Sequence, residues 1–331
     1  MKRDLELNTL LLLLLLVSLL LSLMIGQADI NLSQLFSGLF SGRDDDPYRI
    51  IVQDIRLPRI ITGVLVGGTL GLSGAALQGL LRNPLADPGV IGVSASAGLG
   101  AVLAIQYGLA ALSAFFVPAM AMLGACLCTI ALVLLARRDS SVLTLILIGV
   151  GLNALAGALT SLAINFSQNP FALSEMVLWL LGALTNRSLT DVLLALPFMV
   201  IGGAFLFAAG PALRLLTLGE DVAQVSGVNL KLTRLLCIIG SGLSVGAAVA
   251  VAGMVGFVGL IVPHIIRPWV GFDPQRLLFP SMISGALLVL WADILVRLLP
   301  TTAELKLGVV TALIGGPFFL YLVVKTRRGM R

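Results

Sequence analysis

The sequence is poor in charge. Of 331 residues only 11% are Asp, Glu, Lys or Arg, where a soluble domain carries roughly a quarter. With 21 basic and 16 acidic side chains, a globule of this length could not clothe itself in a solvated shell. That excludes a soluble enzyme, a disordered chain and a nucleic-acid-binding protein. Histidine is scarcer still: His264 stands alone, which removes most metal-centre and catalytic-triad chemistry. The three cysteines, Cys126, Cys128 and Cys237, form no CxxC pair and lie in apolar segments. They read as small packing residues rather than as redox groups or metal ligands.

What the chain does have is apolar length. Hydrophobic residues make up 58%, and mean hydropathy is +1.07. At about 20 apolar residues per helical span, this predicts an all-α integral membrane protein of about ten transmembrane helices. The runs fall near residues 9–26, 58–81, 89–107, 115–135, 142–166, 192–209, 233–252, 254–270, 277–296 and 306–324. The stretch 233–270 is too long for one helix, and Gly253, Gly256 and Gly259 supply the expected break. Thirty-six glycines suit close helix approach. Lys2 and Arg3 before an apolar run resemble a signal peptide, but the only cleavage signal is the weak Ile25-Gly26-Gln27-Ala28, so an uncleaved first span is expected. No repeat or low-complexity linker divides the chain, and 1–331 reads as a single domain.

Ten spans put both termini on one side. That side collects fourteen basic residues against seven on the other, so the positive-inside rule places both termini in the cytoplasm. Two stretches are too polar or short to span. Residues 27–57, with Asp44, Asp45 and Asp46, read as a solvated outer loop. Residues 168–190 read as a half-helix dipping from the outer face, which needs burial in protein or a cavity to line.

On the inner side, residues 211–232 read as two short amphipathic helices, the second opened by acids at Glu220 and Asp221 and ended by Gly227. Such a pair could plug into another protein or lie on lipid. Two acids in one helix make an anionic membrane surface the poorer partner.

The run Gly253-Met254-Val255-Gly256-Phe257-Val258-Gly259-Leu260-Ile261-Val262-Pro263-His264 resembles a hallmark of the ABC importer permeases for ferric siderophores, haem and cobalamin. So do Arg56-Leu57-Pro58-Arg59, Gly74 with Gln78, and Asn83-Pro84-Leu85-Ala86-Asp87-Pro88-Gly89. Leu218, Gly219, Glu220, Ala223 and Gly227 match that family's cytoplasmic coupling segment, and Gly308-Val309-Val310-Thr311-Ala312 with Gly315, Gly316 and Pro317 its last span. Six motifs in one order cover nearly the whole chain. Lys306 stands where the family commonly has proline, and Ser226 where leucine is usual.

The resemblance implies a type II ABC importer permease of the inner membrane, working as a homodimer with a central path. Two ATP-binding cassette subunits would dock below, and a periplasmic substrate-binding protein above. No cofactor belongs to this chain, since ATP and Mg would sit on the partner ATPase; nor is the chain itself an enzyme. Residues 213–228 would be the coupling helices. Asn83, Leu85, Ser141 and Thr144, near the Arg137-Arg138 loop, would lie by the cytoplasmic gate; the alternative is that Asn83-Pro84 merely ends a helix. Arg56, Arg59 and Arg297 would receive acidic residues of the binding protein, and a planar guanidinium suits that task better than lysine. Competing with this, Asp293 and Arg297 have the i,i+4 spacing of an ion pair, worth only about 0.5 kcal/mol at a surface. A haem-ligand role for His264 is less favoured than helix-end packing.

The cargo expected first is a ferric siderophore, with haem or cobalamin as alternatives. An intramembrane enzyme would need paired acids or a metal set. A proton- or sodium-driven transporter usually needs intramembrane acids, and here the acids sit almost entirely at span ends.

Overall fold

The computed structural model describes residues 2–26, 28, 30–41, 45–136, 141–299 and 304–329. A chain in hydrocarbon closes its backbone hydrogen bonds within itself, and each long apolar run has become a helix. Seven are long and apolar enough to cross a bilayer: α1 (Lys2–Met24), α3 (Pro47–Leu80), α5 (Phe116–Leu135), α6 (Val142–Asn165), α8 (Leu189–Leu216), α10 (Leu230–Ala252) and α12 (Pro274–Leu298). Two shorter apolar helices, α4 (Val93–Gln106) and α11 (Val258–Ile266), and the last helix, α13 (Leu307–Gly329), lie in series with them. The path therefore makes about ten passes. We call the end where α1 begins the lower end, and the end where it stops the upper.

Helix α3 lies at the centre, packed on α12, α11, α10 and α8, and α10 packs in turn on α8 and α5. Lipid is as apolar as leucine, so contact between helices rests on close packing and interhelical hydrogen bonds rather than on expulsion of water. Where α3 crosses α12, a methyl group on Gly67 would collide with the Gly285 carbonyl, and one on Gly71 with the Ser281 carbonyl. Ser73 and Ser244 add a buried hydroxyl pair at 3.2 Å between α3 and α10. At the periphery, α1 and α6 keep most of their apolar side chains bare.

The expected break appears between Ala252 and Val258, with Gly253 (φ 69°) and Phe257 (φ 67°) in left-handed conformations. Four expectations change. The loop at 27–57 is largely ordered: α2 (Leu32–Phe40) carries a capping box from Asn31 and Gln34. It is held by Gln34 on Tyr48 (2.8 Å) and by Gln53 on the Gly38 carbonyl (2.9 Å). Asp46 caps the turn at Tyr48, while Asp44 lies outside the described residues. Helix α3 begins at Pro47, well before the apolar run, and its first part is a π-helix at Ile50–Arg56. The half-helix exists as α7 (Pro170–Leu180), but it is not buried in this chain. Only Met176 is enclosed, while Phe171 is 86% exposed. Finally, α8 runs unbroken to Leu216, so the first of the two short helices expected at 211–232 is the lower end of a 28-residue span.

Candidate functional site

At the lower end one separate short helix, α9 (Glu220–Val225), hangs between α8 and α10. Gly219 (φ 106°) opens it and Gly227 (φ 89°) closes it, both in backbone regions that side-chain-bearing residues avoid. The closure is a helix-capping turn: Val228 donates to the Ala223 carbonyl (3.0 Å) and Gly227 to that of Gln224 (2.9 Å). Ala223 is fully buried against the bundle, whereas Leu218 is 63% and Val225 91% exposed. The five expected coupling residues thus make one piece with an apolar outer face.

Two arginines fix this piece to the spans. Glu220 accepts from Arg234 of α10 at 2.8 Å and stands 3.8 Å from Arg82, just past the end of α3. A second tie joins Arg214 of α8 to Asp273, the cap of α12, at 3.2 Å. None of these pairings follows from sequence spacing, and sequence reasoning missed Arg82 and Arg234 as partners.

The four expected gate residues occupy helix ends at this same face. The Asn83 side chain accepts the Leu85 N–H at 2.9 Å, fixing the turn after α3. Ser141 caps α6 by accepting the Thr144 N–H at 3.2 Å, with the two hydroxyls 3.0 Å apart. The Arg137-Arg138 loop lies outside the described residues. Between the pairs, the turn at Pro88–Ile91 packs on α6, where Gly149 meets Ile91 backbone. In that turn Asp87 accepts the Gly89 N–H at 2.8 Å; burial pushes its carboxyl above the usual range, partly offset by this bond. Gln78, quoted only as part of a motif, proves to be the tie among three motifs. Its amide donates to the carbonyls of Ala86 (3.2 Å), Gly259 (3.2 Å) and Leu260 (3.3 Å), and its oxygen accepts from Arg267.

At the upper end Arg56, Arg59 and Arg297 converge on one cavity of about 340 Å³. All three already hold internal partners. Arg56 is 5% exposed and donates to the carbonyls of Leu23, Met24 and Ala28 at 2.5–2.9 Å. Arg297 donates to the carbonyls of Ser22 (2.8 Å) and Ile25 (2.7 Å). Together they satisfy carbonyls that the end of α1 leaves open. Arg59 grips Asp293 through Nε and Nη2 (2.9 and 2.8 Å) and also meets Glu304. The i,i+4 pair of Asp293 and Arg297 forms at 3.1 Å, but both side chains are buried. It is not the exchangeable surface pair its spacing suggests; removing one partner of a buried pair costs about 3–5 kcal/mol.

His264 packs edge-on against Phe318, ring centroids 6.1 Å apart. No group of three His, Cys, Asp or Glu side chains suited to a metal occurs among the described residues. The cysteines are free thiols.

A family model, the FecCD transport family, matches residues 14–325. The chain belongs to the FecCD transport family. Relatives of this FecCD chain include the Vitamin B12 import system permease protein BtuC of Klebsiella pneumoniae, 39% identical over 84% of each chain. The Hemin transport system permease protein HmuU of Yersinia pestis is 37% identical over 93% of each. An uncharacterized ABC transporter permease protein, YvrB of Bacillus subtilis, is 41% identical over 88% of this chain and 83% of its own. Among solved structures, one described as the inward-facing conformation of a metal-chelate type ABC transporter superposes with a TM-score of 0.85. It shares 35% identity and covers 97% of this chain and 99% of its own. The FecCD chain is accordingly a multi-pass permease with the type II ABC importer fold.

Proposed function

We propose that this FecCD chain is the permease of an ATP-driven importer that moves a bulky iron chelate of the ferric-siderophore type into the cytoplasm by alternating access. It works as a homodimer in the inner membrane, with its lower end and both termini in the cytoplasm. Two ATPase subunits seat on the lower face and hydrolyse ATP there. A periplasmic binding protein delivers cargo to the upper face, where Arg56, Arg59 and Arg297 form the docking cluster. Asn83, Leu85, Ser141 and Thr144 flank the lower gate.

The observation that carries this reading is α9. A short helix with bare Leu218 and Val225, swivel positions at both ends and two arginine ties to the spans suits a lever for a second protein. Lipid is a poorer partner for a face bordered by Glu220 and Asp221. A second reading for the cargo, cobalamin or haem, is favoured by the vitamin B12 and hemin permeases among its relatives. The test is uptake into proteoliposomes holding permease, ATPase and binding protein, with a ferric siderophore, haem and cobalamin offered separately. Nucleotide-dependent uptake of the siderophore alone supports the first reading, and of cobalamin or haem the second. Uptake driven by an ion gradient without nucleotide overturns both.

A further inference from the structure

The upper cluster holds three guanidiniums and two carboxylates, and its members are not equivalent. Arg56 donates to the end of α1 and to the Ala28 carbonyl, and Arg297 turns Nη1 and Nη2 to α1, leaving only its Nε for Asp293. Arg59 is different. It is bound to Asp293 through Nε and Nη2, and its Nη1 has no partner among the described residues. Glu304 meets the same Nη2 from across the cavity mouth. Asp293 is 2% exposed, but the Glu304 side chain is 26% exposed and comes from the non-helical stretch just before α13. One carboxylate is therefore built into the bundle and the other is attached from the rim.

We propose that Glu304 is an internal placeholder: it occupies the side of Arg59 that an acidic residue of the docking protein takes, and docking exchanges one carboxylate for another. This rests on the docking reading given above and assigns its contact to a single arginine, with Arg56 and Arg297 as positioning residues. Exchange suits the chemistry. With Glu304 in place the cluster carries one uncompensated positive charge, enough to attract an acid. A guanidinium already held on its other edge by Asp293 meets an incoming carboxylate in a fixed orientation. Release of Glu304 also frees the stretch that begins α13, whose Gly308 N–H is bonded to the Leu181 carbonyl at 3.1 Å. Arrival of the partner is thereby felt at the start of the last span and the end of α7.

The experiment measures affinity of the purified cognate binding protein for the reconstituted permease in four forms: wild type, Glu304→Gln, Arg59→Gln and the double variant. Losing a competing pair of this exposure should tighten docking roughly three- to fivefold in Glu304→Gln. The gain should vanish in the Arg59→Gln background, whereas a mere change of net charge would persist there. Glu304→Asp, one methylene shorter, should act in the same direction and serves if the Gln variant assembles poorly. Docking by Glu304→Gln that is unchanged or weaker, while Arg59→Gln loses affinity, overturns the placeholder and leaves the docking reading standing. Arg59→Gln binding as wild type overturns the docking reading itself.

Discussion

Glu220 and Arg234 meet at 2.8 Å, and this bond ties the short helix α9 to a span near the centre of the bundle. With Arg82 at 3.8 Å on the other side, any displacement of α9 pulls on the lower ends of both α3 and α10. Glu220→Gln should therefore leave insertion and ATPase binding intact yet lower transport per ATP hydrolysed by roughly tenfold, the size of a typical coupling energy. The check is the ratio of uptake to phosphate release in proteoliposomes, and an unchanged ratio would remove Glu220 from the linkage.

A harsher change is Gly219→Pro. Proline fixes φ near −65°, and Gly219 sits at 106°. The variant should insert normally but release or uncouple the ATPase. Normal import with the ATPase bound would show that α9 is not the lever.

The two kinds of upper arginine should separate cleanly. Arg56→Gln leaves α1 carbonyls without donors, and orphaned buried acceptors cost about 1–3 kcal/mol each. It should lower the thermal midpoint in detergent. Arg59→Gln should chiefly weaken docking, and wild-type docking should itself weaken as salt rises at this wet rim.

At the centre, Gly285→Leu places a side chain where the Gly67 carbonyl lies. Overpacking costs about 1–3 kcal/mol or more, and here backbone blocks relief. The variant should reach the membrane yet unfold at lower temperature, measured by thermal aggregation in detergent. A midpoint equal to that of the wild type would mean that the α3–α12 contact yields.

The spans were legible because bilayer thickness imposes a length that composition alone reveals, and Gly253 announced the break between α10 and α11. The short segment holding Leu218, Gly219, Glu220, Ala223 and Gly227 and the convergence of three arginines were legible too, through family motifs and the count of passes. Their partners were not. Glu220 lies far along the chain from Arg82, and Glu304 farther still from Arg59, so only the packed bundle brings them together. The length of α8 was misread because its last turns carry polar Arg214 beyond Pro211, a pattern that looks like a fresh surface helix. Sidedness and the family motifs put the three arginines at one face, but neither says which acceptors inside the chain each has already found.

The closing of α1 by Arg56 and Arg297 also sets a schedule for biosynthesis. The first span leaves the ribosome with its terminal carbonyls unanswered, and Arg56 reaches them soon afterwards. Arg297 is made only when the ninth span emerges, on the order of tens of seconds later at ordinary translation rates. Until then α1 lacks one of the two arginines that close its end. A helix made early is thus closed by a residue made late.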